Sequence, residues 1–83
     1  RVVMFFITYV LKSAKDNNLY VGWTDDIISR LSEHNRGRVN ATKSRIPLKL
    51  VYYEACLSKK LAIAREKQLK TGFGRAYLKR RIS

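Results

Sequence analysis

The sequence lacks the features that mark secreted and membrane-spanning proteins. Its single cysteine, Cys56, cannot form an internal disulfide bond, which is typical of a reducing compartment, and we expect it to be buried in a strand. No apolar run approaches the roughly 20 residues that a spanning helix needs, and the apolar stretch at residues 2–11 has no small-residue cleavage pattern. We therefore expect a cytoplasmic protein with neither a signal peptide nor a membrane anchor.

Acidic residues are also scarce. Six Asp and Glu stand against eighteen Lys and Arg, which gives a formal charge of +12. A charge of this size favours a polyanionic partner. Nucleic acid is the first candidate, because no segment forms the basic amphipathic helix with a bulky apolar face that an anionic membrane surface would require. With 83 residues and no low-complexity linker, the chain is expected to form one domain over residues 1–83.

The pattern along the chain predicts an α+β fold. Residues 4–11, 19–23 and 48–55 are rich in aromatic and β-branched residues and are predicted strands, the first two forming a hairpin. One helix should follow residues 24–26 and end near residue 36 before Gly37, and a second should follow Ser58 and end near residue 70. A short third helix is predicted over residues 76–82. The order is β-β-α-β-α-α, with helices flanking a small sheet.

Several polar and aromatic side chains occupy positions that a simple core does not explain. The predicted hairpin carries Tyr9 and Tyr20 on neighbouring strands. In the first helix, Ile27, Ile28 and Leu31 are the predicted apolar stripe. One helical turn separates Arg30 from His34, along the edge of that stripe, so both are expected to face one surface.

Glu66 is a further residue of this kind. It lies at the margin of the second helix's apolar side, which is predicted to carry Leu61, Ala62 and Leu69. An ion pair with Lys70 or Lys59 would explain it. A carboxylate on a phosphate-binding surface otherwise repels the ligand unless a hard divalent cation lies between them.

These residues resemble the signature of the GIY-YIG nuclease superfamily. Their order along the chain is Tyr9, Tyr20-Val21-Gly22, Arg30, His34 and Glu66. The resemblance is closest to the small single-domain bacterial members related to the nuclease domain of the excinuclease incision subunit. It covers about residues 4–81, through the blocks LYVGWTDDIISRLSEHNRG, KSRIPLKLVYYE and AIAREKQLK. The first motif corresponds to Ile7-Thr8-Tyr9, with Ile7 in place of the family's glycine.

The resemblance implies a three-stranded antiparallel sheet flanked by helices, and a metal-dependent endonuclease that hydrolyses DNA, with DNA repair as an expected setting. Its implied catalytic residues are Tyr9, Tyr20, Arg30, His34 and Glu66, with Glu66 holding one divalent cation, Mg²⁺ or Mn²⁺. Arg30 would bind the phosphate that gains charge in the transition state. The general base stays open among Tyr9, Tyr20 and His34, since a basic field favours phenolate.

Other residues are expected to bind substrate. Gly22 would allow close approach of a phosphate, and the basic loop at residues 36–45 would guide the nucleic acid through Arg36, Arg38, Lys43 and Arg45. The same basic surface would also suit a non-catalytic nucleic-acid-binding module, with Tyr52, Tyr53 and Phe73 as stacking groups. A pure binder, however, gains nothing from Glu66 among so many cations.

Overall fold

A computed structural model of the chain describes residues 4–82. The elements follow the predicted β-β-α-β-α-α order, and the α+β prediction is confirmed. They are β1 (Phe6–Ser13), β2 (Leu19–Thr24), α1 (Ile27–Asn35), β3 (Leu48–Cys56), α2 (Lys59–Leu69) and α3 (Gly72–Arg81). The predicted single domain and the predicted apolar stretch begin in residues 1–3, which lie outside the described part. No helix within residues 4–82 is long and apolar enough to cross a membrane.

The three strands form one antiparallel sheet in the order β2-β1-β3. Because successive residues of a strand point to opposite faces, the central strand β1 serves two cores. Leu11 packs with Leu31 of α1 on one face. Val10 packs with Leu69 of α2 and Leu78 of α3 on the other. Helices thus flank both faces of the sheet, as predicted.

Local signals in the sequence correctly mark several element ends. Asp26 is the N-cap of α1, where its side chain accepts from Ser29 N. Ser58 is the N-cap of α2 and accepts from Leu61 N in the same way. After α1, Gly37 has a φ of 74°, the left-handed conformation that glycine adopts without a steric penalty.

Helix α1 turns a different side toward the sheet from the one predicted. Ile28, assigned to the apolar stripe, is 82% exposed. The side that faces the core carries Ile27, Leu31 and His34. These follow the i, i+4, i+7 spacing of a single helix face, and Ile28 lies about 100° away from Ile27 around the helix. The prediction that His34 lies at the surface edge of the stripe is wrong, because its side chain is fully buried.

Helix α3 begins at Gly72 rather than at residue 76 as predicted, although glycine has a low helix propensity and residues 72 and 74 are both glycine. Thr71 is its N-cap, and the Thr71 hydroxyl accepts from Gly74 N. A Cβ on Gly74 would lie 2.4 Å from Gln68 O and 2.4 Å from Leu69 Cα. Glycine at this position therefore permits the close approach of the α2 and α3 backbones, and here that packing outweighs the low helix propensity of glycine.

Three more side chains depart from the predictions. Leu61 is exposed rather than on the buried side of α2. Cys56 is in a strand as predicted, but it is only half-buried, and its thiol donates to Ser58 O at 3.2 Å. Tyr52 is not a free stacking group, because its hydroxyl donates to the Glu54 carboxylate at 2.6 Å on the face that packs against α2 and α3.

Candidate active site

Tyr9 lies at the centre of the candidate site, on the middle strand of the sheet. Its cross-strand neighbour on β2 is Gly22, and its side chain is almost completely buried. A Cβ on Gly22 would lie 2.6 Å from the Tyr9 hydroxyl and 2.7 Å from Cζ. The space that glycine leaves is therefore filled by the Tyr9 phenol. The prediction that Gly22 receives a substrate phosphate stays a prediction, since the structure shows a different reason for glycine here.

A buried chain of hydrogen bonds continues from Tyr9 into α1 and the following loop. The Tyr9 hydroxyl lies 2.8 Å from His34 Nε2, and His34 Nδ1 lies 2.7 Å from Thr42 Oγ1. One nitrogen of a neutral imidazole donates and the other accepts. The Thr42 hydroxyl is both a donor and an acceptor, so its rotation selects whether Tyr9 donates to His34 or accepts from it.

The protonation states of this chain follow from burial. Burial raises the pKa of the Tyr9 hydroxyl above 10.0, and the nearby Arg30 charge offsets only part of the effect. Burial also lowers the pKa of His34 below 6.5, and Arg30 lowers it further. At neutral pH the phenol is protonated and the imidazole is uncharged. Arg30 does lower the pKa of Tyr9, but burial raises it by more. The choice of general base among Tyr9, Tyr20 and His34 stays a prediction.

Tyr20 is placed differently. It lies across from Leu11, two residues from Gly22 along β2, and is therefore a diagonal neighbour of Tyr9 on the same face. The ring centroids of Tyr20 and Tyr9 are 6.4 Å apart, and those of Tyr20 and His34 are 5.1 Å apart. The two tyrosines and the histidine form one aromatic cluster, in which Tyr20 alone is only partly buried.

Arg30 extends from α1 beside this cluster. Its Nη1 donates to Glu33 Oε1 at 3.2 Å, and the two side chains are 36% and 47% exposed. Such exposed pairs contribute about 0–1 kcal/mol. The nearby Tyr9 hydroxyl raises the pKa of the guanidinium, which stays charged. Arg30 can therefore exchange Glu33 for a phosphate at little energetic cost.

Glu66 approaches the cluster from α2, on the other face of the sheet. The negative charge of Glu66 is close enough to Tyr9 to contribute to the raised pKa of the Tyr9 phenol. The Glu66 side chain is 17% exposed, and Oε2 accepts from Lys70 Nζ at 3.1 Å. The predicted ion pair with Lys70 is thus present, and it leaves Oε1 for a further partner.

The side chains that could bind a metal ion here suit only one kind of metal site. Residues 4–82 contain no group of three or more His, Cys, Asp or Glu side chains arranged to hold a metal ion. A closed protein cage is therefore absent from the part of the chain described. A single carboxylate is nevertheless the usual protein contribution to a Mg²⁺ ion that keeps several waters and binds a substrate phosphate. Glu66 fits that chemistry.

The basic loop is divided in its roles. Arg36, Arg38 and Lys43 are exposed, as substrate-guiding residues should be. Arg45 is half-buried, and its Nε donates to Asp16 Oδ2 at 3.0 Å, so part of its role is to hold the loop against the β1–β2 turn.

Thr42 and Asn35 are two residues whose roles the sequence did not indicate. Thr42 lies in the basic loop, yet it is fully buried behind His34. Asn35 bonds both backbone groups of Leu48, accepting from its N at 2.7 Å and donating to its O at 2.9 Å. Asn35 is the last residue of α1. Threonine and asparagine are residue types that are mostly exposed, so nothing in the local sequence indicated either role.

The chain is similar to several known proteins. The family model of the GIY-YIG catalytic domain matches residues 5–81. A UPF0213 protein of Staphylococcus haemolyticus is 44% identical over 64 residues, covering 76% of this chain and 77% of that protein. One of Syntrophus aciditrophicus is 47% identical over 64 residues, covering 75% and 72%. The solution NMR structure of a UPF0213 protein from Bacillus halodurans is similar with a TM-score of 0.56 and 31% identity, covering 90% of this chain and 82% of that one.

Proposed function

Since this chain belongs to the GIY-YIG family, an endonuclease superfamily, together with the small UPF0213 proteins, we propose that it is a metal-dependent endonuclease that hydrolyses DNA phosphodiester bonds. The observation that carries the proposal is the convergence of four distant segments. Tyr9, Tyr20, His34 and Arg30 meet in one cluster, and the charge of Glu66 reaches it from a separate helix.

Two residues of the cluster are accessible enough to touch a substrate. Arg30 is the phosphate ligand, because its guanidinium is charged, partly exposed and only weakly held by Glu33. Tyr20 is the hydroxyl that orients the attacking water, because it is the only partly exposed ring of the three. In the reaction a water oxygen bonds to phosphorus, the bond to the departing sugar oxygen breaks, and a proton passes from the water to that oxygen.

The other three residues of the site are Tyr9, His34 and Glu66. Tyr9 and His34 are buried, so they hold Arg30 and Tyr20 in position and accept or donate a proton within their own hydrogen-bonded chain. Glu66 would hold one divalent cation, Mg²⁺ or Mn²⁺. When bound, such an ion polarises the phosphate and stabilises the leaving oxygen. We propose that Arg36, Arg38 and Lys43 guide the substrate, in keeping with their exposure.

A cleavage assay tests the function. Purified protein is incubated with labelled single-stranded, duplex, flap and branched DNA in Mg²⁺, in Mn²⁺ and in EDTA. Arg30→Ala is the variant, and Arg80→Ala, at an exposed position of α3, is the matched control. We expect cleavage of at least one substrate that EDTA abolishes, and a loss of about 10²–10³ in rate for Arg30→Ala alone. Cleavage that persists in EDTA would contradict the metal requirement.

A second candidate is a non-catalytic nucleic-acid-binding module. In its favour, Tyr53 and Phe73 are 59% and 71% exposed, and Tyr53 lies across from Tyr9 in the sheet, beside the candidate site. Exposed aromatic rings on a basic surface are typical of single-strand binding. On this alternative, binding survives EDTA and no substrate is cut in any metal ion.

A further inference from the structure

A groove lined by positive charge lies at the free edge of the sheet, next to Tyr20. It encloses about 760 Å³, a volume typical of ligand pockets. Five cations and no acidic residue are among the residues that line it. The cations are Lys12, Arg45, Lys70, Arg75 and Lys79. We call this the edge groove.

Three of these cations have no ion-pair partner within residues 4–82. Arg45 is paired with Asp16, and Lys70 with Glu66. The three that remain are Lys12, Arg75 and Lys79, and the described ion pairs include none of them. Like charges placed together without acids repel one another, so the arrangement weakens the fold slightly and favours an anionic ligand.

The edge groove is built from β1, β2, α2 and α3, together with residues of two loops. Lys12 comes from β1, while Arg75 and Lys79 come from α3, where four residues separate them and place them on one side of the helix. The early start of α3 at Gly72 brings Arg75 into this row. Leu19, Val21 and Ile82 supply apolar surface between the charges.

Acidic residues surround the other end of β2, at Thr24. A shallower pocket there is lined by Asp25, Asp26 and Glu33, with Arg30 as its one cation. The two ends of β2 are roughly 16 Å apart at about 3.3 Å per residue, and Gly22 and Tyr9 lie between them. A polyanion bound at Arg30 is therefore repelled by the acidic residues at this end of β2 and attracted toward the edge groove at the other end.

We propose that the edge groove binds the sugar–phosphate backbone of the nucleic acid on one side of the reactive phosphate, through Lys12, Arg75 and Lys79. The inference rests on the proposed function for the position of the reactive phosphate. Its ligand is a phosphodiester chain, because several unpaired cations with apolar surface between them suit repeated phosphates and sugars.

The experiment measures binding without metal, so that it does not depend on cleavage. Fluorescence anisotropy with a labelled oligonucleotide, single-stranded and as a duplex, is recorded against salt in EDTA. The variant combines Lys12→Ala, Arg75→Ala and Lys79→Ala. A control with the same charge change combines alanine at Lys60, Lys67 and Arg80, which are exposed and do not line the groove.

We expect the groove variant to bind at least about a hundredfold more weakly at low salt, and its slope of log K against log salt to be smaller by about 2 on single strands or about 3 on duplex. The control should keep most of the affinity. Equal losses in both variants would mean diffuse attraction and would overturn the inference. Lys79→Glu against Arg80→Glu, adjacent on α3, repeats the comparison with one substitution if the triple variant is unstable.

The two proposals fail in different ways. A protein that binds through the edge groove but cuts no substrate in any metal ion contradicts the nuclease and leaves the groove in place. A groove variant that binds and cleaves like the unmodified protein contradicts the groove and leaves the nuclease in place.

Discussion

Replacing Thr42 by valine removes one hydroxyl from the buried chain that links Tyr9, His34 and the basic loop. Valine has nearly the shape of threonine, so the substitution leaves no cavity. What it removes is the partner of His34 Nδ1, 2.7 Å away in a fully buried position. The imidazole then keeps one hydrogen bond, to the Tyr9 hydroxyl.

The expected loss of stability follows from that unpaired nitrogen. A buried polar group left without a partner costs about 1–3 kcal/mol. In a domain of 83 residues each 1 kcal/mol shifts the melting temperature by about 4–8 °C. We therefore expect Thr42→Val to melt at least about 4 °C lower. With one of its two anchors gone, the imidazole and the Tyr9 phenol shift, and small displacements of this kind lower kcat by up to about 10².

A matched control separates stability from positioning. Thr8 is also buried, and its hydroxyl donates to Ala62 O at 3.0 Å, on the face of the sheet away from His34. Thr8→Val should lower the melting temperature without lowering kcat per folded molecule. Thr42→Ser keeps a hydroxyl and should restore activity.

The direct readout is the ¹⁵N spectrum of the imidazole. The chain contains one histidine, so a single pair of ring signals reports its tautomer. We expect these signals to shift in Thr42→Val and to be unchanged in Thr8→Val. If Thr42→Val left kcat and the ring signals as they are in the unmodified protein, the positioning role of Thr42 would be refuted.

Three further outcomes are expected. Glu66→Gln should abolish metal-dependent cleavage, while DNA affinity in EDTA holds or improves because the substitution removes a negative charge. Loss of the ion pair with Lys70 should lower stability by only about 0.3–0.5 kcal/mol. Cleavage at the unmodified rate would contradict the metal assignment. Because the folded-state pKa of His34 is lowered below 6.5, the unfolded chain takes up the proton first, so stability should be present above pH 6.5 and be lost as the pH falls below it. His34→Gln should flatten the melting temperature over that range, and an unchanged slope would contradict the assignment. Gly22→Ala should cost about 1–3 kcal/mol, since its Cβ would lie 2.6 Å from the Tyr9 hydroxyl. Gly72→Ala, which meets nothing within 4 Å, is its control, and equal melting temperatures for the two would refute the steric argument.

The sequence by itself determined the order of the elements and most of their ends. Strand-forming residues, the caps Asp26 and Ser58, and Gly37 act through their own backbone and nearest neighbours, so their effects can be inferred locally. Three of the residues that the sequence singled out, Tyr20, Arg30 and His34, do lie near Tyr9.

Only the tertiary structure decided which surfaces are covered and which partners meet. Periodicity gives the angle of Ile28 around its helix but not which side the sheet will cover, so that residue was placed in the core and is exposed. Gly74 resembled a helix breaker until the backbone of α2 came within contact distance. The bonds of His34 to Tyr9 and Thr42 span 25 and 8 residues, and the edge groove joins β1 to α3. Contacts of this kind depend on how whole elements and the loops between them pack, so they do not follow from the local pattern of the sequence.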